Sequence, residues 1–420
     1  MVHGRRWMRY LVIIIALLGV SWCQAGPLTP TQPLHSRREA PAVRFGDFIQ
    51  EFALDLSSEI RDPGTVTFSP LSISSLLSVL LLGSSGVPYH QLYNALHLPV
   101  GVTEAKIHST FKELIDSVTH ARQGVTLNVA NGLFLQSGVG ILSDFTNSAN
   151  KSYGASVRIV DFNTKPAEAT NVINDWVKDG TNGLIPQLLA DPLSTETIFV
   201  AANTVFFKGD WKNPFDPEFT RLAPFHTGKE TIEVPMMRSV MTVPYVDIPD
   251  LDAHMIALPY EGDQFAMFIL MSQGPASDKL EDIEFMLDAS IINGYINSMT
   301  NSVVNVWLPR MRLSYKTSLK PTLQALLVKA IFDPRQADFA RMIANGHVWV
   351  DDVIHETIVE ITEIGTKAAA ATGTSLNRMG SSRSFVVDRP AIFFIRDLKS
   401  GLPLFWGRLV RPEVLSQAAG

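Results

Sequence analysis

Apolar residues recur at helical spacing where the folded part begins: Phe45, Phe48, Ile49, Phe52, Ala53 and Leu56 share one face. The next run, Ser72–Leu82, is apolar almost all round and follows the turn Phe68-Ser69-Pro70, which predicts a buried helix. Helical patterning returns at Glu104–Val118, Ala167–Val177 and Leu319–Leu327. Between these segments, Val125–Leu135, Ile198–Phe207, Met255–Met271, Val303–Leu308, Val353–Ile361 and Val386–Phe394 alternate or are rich in β-branched and aromatic residues, and predict strands. Helices and strands do not alternate strictly and no repeat of about 20 to 50 residues recurs, so solenoids and propellers are excluded and a mixed α+β fold is expected. No proline-rich or charged linker interrupts residues 43–412, which predicts one large domain over 43–420.

The N-terminus has a different pattern. Arg5, Arg6 and Arg9 precede the apolar run Leu11–Trp22 and then Cys23-Gln24-Ala25, which reads as a secretory signal over residues 1–25. The run is too short to span a bilayer, so no membrane association is expected. Residues 26–42 carry Pro27, Pro30 and Pro33 without apolar periodicity and are expected to be a flexible leader. Cys23, the sole cysteine, falls inside the signal. A mature chain would therefore have no disulfide and no cysteine ligand, and would draw its stability from packing.

With 46% apolar and 18% charged residues, the chain can bury a large core. Its formal charge of −6 becomes more negative once the three signal arginines are removed, which argues against a nucleic-acid binder. No Gly-x-Ser-x-Gly elbow, His-Glu-x-x-His pair or phosphate-cradling loop is present, and the ten histidines lack ligand spacing. No catalytic residue, metal or cofactor is therefore expected. Asn150-Lys151-Ser152 is the single glycosylation sequon, marking Asn150.

One segment lies outside the core pattern. Glu363-Ile364-Gly365-Thr366-Lys367 leads into Ala368-Ala369-Ala370-Ala371-Thr372, and the stretch continues to Arg378-Met379-Gly380 before the strand-like Phe385–Val387. Alanine favours helix, but seven residues between glycines are too few for an isolated helix to hold. Placed in a strand, Thr366, Ala368, Ala370 and Thr372 fall on one face and Lys367 on the other. Such a segment can enter a packed sheet without burying an ion or overpacking the core.

This segment and its flanks closely resemble the serpin family of protease inhibitors. The resemblance extends through Phe68-Ser69-Pro70-Leu71-Ser72-Ile73, Ile173-Asn174-Asp175-Trp176-Val177 and Asn203-Thr204-Val205-Phe206-Phe207-Lys208-Gly209-Asp210-Trp211. It continues through Leu308-Pro309-Arg310, Asp388-Arg389-Pro390 and Leu404-Phe405-Trp406-Gly407-Arg408, and so covers essentially all of 43–412. It implies three β-sheets, about nine helices and a reactive-centre loop that a protease attacks as substrate. By the same resemblance, the protease serine forms an acyl-enzyme and the cleaved loop inserts into the main sheet, trapping the enzyme in a covalent 1:1 complex.

The resemblance assigns a hinge to Glu363, Gly365, Thr366, Ala368, Ala369, Ala370, Ala371 and Thr372. It pairs Glu363 with Arg310 at the top of the sheet, near Trp211, and places Ser69, Ser72, Asn203 and His355 in a polar shutter beneath the strands that part. Ile364 and Lys367 depart from the charges common at their positions. Family spacing puts the cleaved bond at Met379-Gly380, while Arg378-Met379 suits the buried carboxylate of a trypsin-like pocket and one-residue-shorter loops in the family. Arg378-Met379 is preferred, with Arg383 as a weaker third candidate. The implied function is a secreted, extracellular, monomeric inhibitor of trypsin-like serine proteases; the alternative is a non-inhibitory carrier or scaffold. The helix over Glu104–Val118 offers only Lys106 and Lys112 as firm cations, so no heparin site is expected there.

Overall fold

The computed structural model describes residues 45–119, 124–274, 279–364 and 383–415, all within the unit Val43–Gly420. Helix α1 (Phe45–Glu59) buries the face predicted for it, Ile49, Phe52, Ala53 and Leu56. After β1 (Val66–Phe68), Ser69 caps α2 (Pro70–Gly83): its Oγ accepts from the Ser72 amide at 3.3 Å, while Pro70 occupies the first turn, where a missing amide hydrogen is harmless. The chain continues through α3 (Gly86–Ala95), α4 (Glu104–Thr119), β2 (Val125–Gln136), β3 (Gly140–Ile141), α5 (Ser143–Tyr153), β4 (Ser156–Val160), α6 (Pro166–Gly180) and β5 (Phe199–Gly209). Next come β6 (Arg221–His226), β7 (Thr231–Ile248), β8 (Ala253–Pro259), β9 (Phe265–Ser272), α7 (Lys279–Met286), α8 (Ala289–Ser298), β10 (Thr300–Pro309), β11 (Met311–Ser318) and α9 (Lys320–Ala325). The last elements are β12 (Ile343–Asn345), β13 (Asp352–Ile361), β14 (Arg383–Val386), β15 (Ala391–Asp397), β16 (Pro403–Leu409) and β17 (Glu413–Val414).

These strands form three sheets. The main sheet runs β17-β11-β13-β5-β2-β4; a nine-stranded sheet runs β1-β16-β15-β9-β8-β7-β10-β14 with β6 on β7; and β12 pairs with β3. Three sheets and, among the described residues, nine α-helices match the expected architecture.

The expected boundaries fail in specific places. Met255–Met271 is two strands, β8 and β9, because Gly262 (φ 81°) and Asp263 (φ 55°) turn the chain between two apolar runs that read as one. Val386–Phe394 likewise divides at Asp388-Arg389-Pro390, separating β14, which pairs parallel with β10, from β15. The 18-residue β7 gave no clear signal, since Pro235 and Pro244 read as strand breakers. The helix expected to reach Leu327 stops at Ala325, and Leu327 takes a left-handed conformation (φ 68°).

The main sheet is covered on both faces near its centre. On one side α2 is buried almost all round, with Leu71, Ile73, Leu76, Leu77 and Leu80 at 3% exposure or less. On the other, Ile173, Trp176 and Val177 of α6 pack on Ala130, Phe134, Ala202, Phe206, Ile354 and Ile358. The approach is close enough that a Cβ at Gly132 would lie 2.8 Å from the Trp176 ring.

Candidate functional site

At the centre of the main sheet, β5 and β13 are direct parallel neighbours, paired from Val200↔Asp352 to Lys208↔Glu360. Each is antiparallel to its outer neighbour, β5 to β2 and β13 to β11. Within the six-stranded sheet, β4 on β2 is the other parallel pair. Parallel ladders are slightly weaker per residue, so the β5–β13 line is a natural place for the sheet to part.

Beneath that line the sequence puts polar side chains in apolar strands, and the fold gathers them. His355 of β13 and Asn203 of β5 are register partners and fully buried. His355 Nδ1 lies 2.7 Å from Asn203 Oδ1, and its Nε2 is met by the Ser69 amide at 3.2 Å. The Ser69 amide can only donate, so Nε2 accepts, and the proton sits on Nδ1, donated to Asn203. Burial holds the imidazole neutral, its pKa pushed down to about 3. Asn203 Nδ2 donates to Ser72 Oγ, to Asn131 Oδ1 at 2.7 Å and to the Ala130 carbonyl at 3.3 Å. Asn131 Nδ2 in turn donates to Ser75 Oγ at 2.9 Å.

The two strands are thus tethered on opposite sides of the line. His355 is tied to the Ser69 amide, and Thr357 of β13 donates to the Thr67 carbonyl at 2.8 Å, while Asn203 is tied to β2 and α2. The His355–Asn203 bond crosses between them on the inner face. On the outer face Lys208 and Glu360 approach to 3.5 Å across the same line. Strands about 4.8 Å apart must separate to about 9.6 Å to admit another, and both contacts would then break.

The top of β13 is pinned separately. Trp211, two residues past β5, donates from its amide to the Ile364 carbonyl at 3.0 Å and from Nε1 to the Thr362 carbonyl at 2.8 Å. Its ring stacks on Tyr260, centroids 4.5 Å apart at 11°. The Phe215 amide donates to the Glu363 carbonyl at 3.1 Å. The Glu363 carboxylate accepts from Arg310 Nη1 at 3.1 Å and from Thr220 Oγ1 at 2.9 Å, with both charged side chains largely buried. Such a pair contributes through geometry: losing either partner strands a buried charge.

The structure therefore brings together Ser69, Ser72, Asn203 and His355, and separately Trp211, Arg310 and Glu363. Gly365, Thr366, Ala368, Ala369, Ala370, Ala371, Thr372, Arg378, Met379 and Gly380 lie outside the described residues. Ile364, just before them, is 53% exposed. Arg383 lies in β14, paired with Val304 of β10 and joined to Asp247, with its guanidinium 4.9 Å from the Tyr245 ring. A residue held in a sheet ladder is poorly presented for cleavage, which counts against Arg383 as the cleaved residue. Sequence reasoning missed Asn131, Ser75, Thr220, Tyr260, Lys208 and Glu360. Asn131 carried a signal of the same kind as His355, a polar residue inside the apolar stretch Val125–Leu135.

The site thus combines a parallel central strand pair, a buried polar cluster under it and a pinned strand top. The serpin (serine protease inhibitor) family model matches residues 48–412, and this chain belongs to the serpin family. It is 36% identical over 372 residues to the leukocyte elastase inhibitor of Equus caballus, covering 86% of this chain and 97% of that protein. It is 34% identical over 372 residues to the leukocyte elastase inhibitor of Homo sapiens, again covering 86% and 97%. Among solved structures, uncleaved ovalbumin superposes with a TM-score of 0.82 at 23% identity, covering 88% of this chain and all of that one. Human thyroxine-binding globulin complexed with thyroxine superposes with 0.80 at 23%, covering 88% and 98%. At that identity these two structures share the fold alone.

Proposed function

We propose that this chain is a secreted suicide-substrate inhibitor of trypsin-like serine proteases. The observation that carries the reading is the direct parallel pairing of β5 and β13 at the centre of the main sheet, with the Gly365–Thr372 segment following β13 in sequence. In the proposed reaction the protease serine Oγ attacks the Arg378 carbonyl carbon, and the Arg378–Met379 bond breaks. Met379 leaves as a free amine after taking a proton, and Arg378 remains as an ester on the enzyme. The freed hinge then enters between β5 and β13, carrying the enzyme away before water attacks the ester. The small residues on the Thr366, Ala368 and Ala370 face favour inhibition over the carrier alternative, because bulky or charged residues there would oppose insertion.

Incubation with trypsin is expected to yield an SDS-stable 1:1 complex, with the released C-terminal peptide beginning at Met379 by mass spectrometry. A fragment beginning at Gly380 would move the reactive residue to Met379 and the target class to elastase- or chymotrypsin-like enzymes. That second reading is favoured by the names of the relatives, leukocyte elastase inhibitors. Cleavage by every protease tried without a stable complex would support the carrier or scaffold reading.

Two further parts of the proposal rest on surface features. Asn150 is exposed on α5, where a glycan meets no packed neighbour; unchanged gel mobility after glycosidase treatment of the secreted chain would overturn its use. Lys106 and Lys112 of α4 lie near Glu113 and Asp116, at 3.8 and 2.5 Å, so each positive charge is offset and heparin activation through this helix is not expected.

A further inference from the structure

On the outer face of the sheet, opposite His355 and Asn203, the same register brings Glu356 of β13 beside Thr204 of β5. The rows on either side are apolar: Ile354 with Ala202 below and Ile358 with Phe206 above, all packed with Ile173, Trp176 and Val177 of α6. In this layer Glu356 Oε2 and Thr204 Oγ1 are both shut off from solvent, and neither has a hydrogen-bond partner. Two orphaned polar atoms on register-paired residues of the neighbouring strands are a local defect in the closed sheet. They are unlike the satisfied cluster on the opposite face.

We propose that Glu356, set against Thr204 across the β5–β13 line, regulates how readily the main sheet opens to accept a strand: its carboxylate, with Oε2 left without a hydrogen-bond partner in the closed sheet, is relieved when the strands separate. The inference rests on the insertion reading above and adds the residue that tunes it. Burial raises the carboxyl pKa to about 7, with Lys316 and Arg312 of β11 pulling the other way. Lys316 is its register partner on β11. From β5 it faces the neutral Thr204, and Lys208 on that strand is engaged by Glu360 of its own strand. His355 stays neutral in the closed sheet from about pH 4 to 8, and its own effect on stability, which appears only below pH 6.5 and runs the opposite way, is common to the chain and the variant. With its pKa in the closed sheet raised from 4.5 to about 7, Glu356 leaves the sheet strongest below pH 4.5 and weakens it as pH rises toward 7, with no further loss above that.

The test uses the intact chain, its Glu356→Gln variant and a synthetic peptide copying residues 365–378, with uptake into the sheet followed by native gel between about pH 4 and 8. Uptake by the unaltered chain is expected to rise roughly tenfold across this range, while Glu356→Gln stays at the slow, acidic rate throughout. The variant should also raise the melting temperature of the intact chain at the alkaline end and leave it unchanged at the acidic end. Equal pH profiles for the two proteins, or a variant that melts lower at both ends, would overturn the proposal. Nicking both proteins within residues 365–382 separates the two levels: if nicked chains melt no higher than intact ones, the insertion reading fails and this proposal with it. If they melt higher while the uptake profiles coincide, only the role of Glu356 falls.

Discussion

At the scale of single residues, the polar cluster under β5 and β13 is held by bonds that cannot be replaced one at a time. Asn203→Ala removes the acceptor for His355 Nδ1 and the donor to Asn131 and Ser72, leaving at least two buried groups unpaired at about 1–3 kcal/mol each. The intact chain should lose that much in denaturant titration. A loss below about 0.5 kcal/mol would show the cluster to be hydrated instead. His355 makes a prediction of opposite sign to that of Glu356. Its folded pKa lies near 3, below the unfolded value of 6.5, so its contribution is fully present above pH 6.5 and is lost as pH falls toward 3. Over that window stability should decline by up to about 1.4 kcal/mol per pH unit, and His355→Gln should flatten the decline in melts recorded as a function of pH.

At the scale of elements, β13 carries most of the design. One face presents Val353, His355, Thr357, Val359 and Ile361 to the core; the other alternates Ile354 and Ile358 with Glu356 and Glu360. Its upper end is clasped by Trp211, Phe215, Thr220 and Arg310. Glu363→Gln keeps the shape but leaves the Arg310 guanidinium, whose Nε already has no partner, as a buried uncompensated charge. The closed chain should lose about 3–5 kcal/mol, and a double-mutant cycle with Arg310→Met should recover much of it. If the two changes add instead, the pair is not coupled and the clasp is backbone alone.

For the whole molecule, the proposal requires that the closed sheet is not the most stable state available to the chain. A nicked chain with the hinge inserted gains a ladder of hydrogen bonds and buried side chains, on the order of ten kcal/mol or more. It should melt well above the intact chain in calorimetry; equal melting would remove the driving force. Thr366→Arg is expected to abolish this gain, because it places a charge on the face that enters the core, and to convert the chain from inhibitor to substrate. Retained stoichiometric inhibition by that variant would contradict the insertion mechanism.

Local patterning was enough to read much of this protein. The faces of α1 and α2 and the strands β2, β5 and β13 follow from side-chain period and propensity, which act over a few residues. His355 and Asn131 announce themselves as polar intrusions in apolar strands. The family resemblance supplied the pairing of Glu363 with Arg310 and the grouping of Ser69, Ser72, Asn203 and His355. The division of Met255–Met271 and the 18-residue β7 escaped, because a turn between two apolar runs and prolines within a strand are resolved by sheet pairing, not by local preference. The tether of β13 to Trp211, the Lys208–Glu360 contact and the orphaned Glu356–Thr204 pair belong wholly to the folded chain. Each depends on the register that sets β5 against β13, residues about 150 apart in sequence, and register across such a gap arises from packing of the entire sheet between α2 and α6.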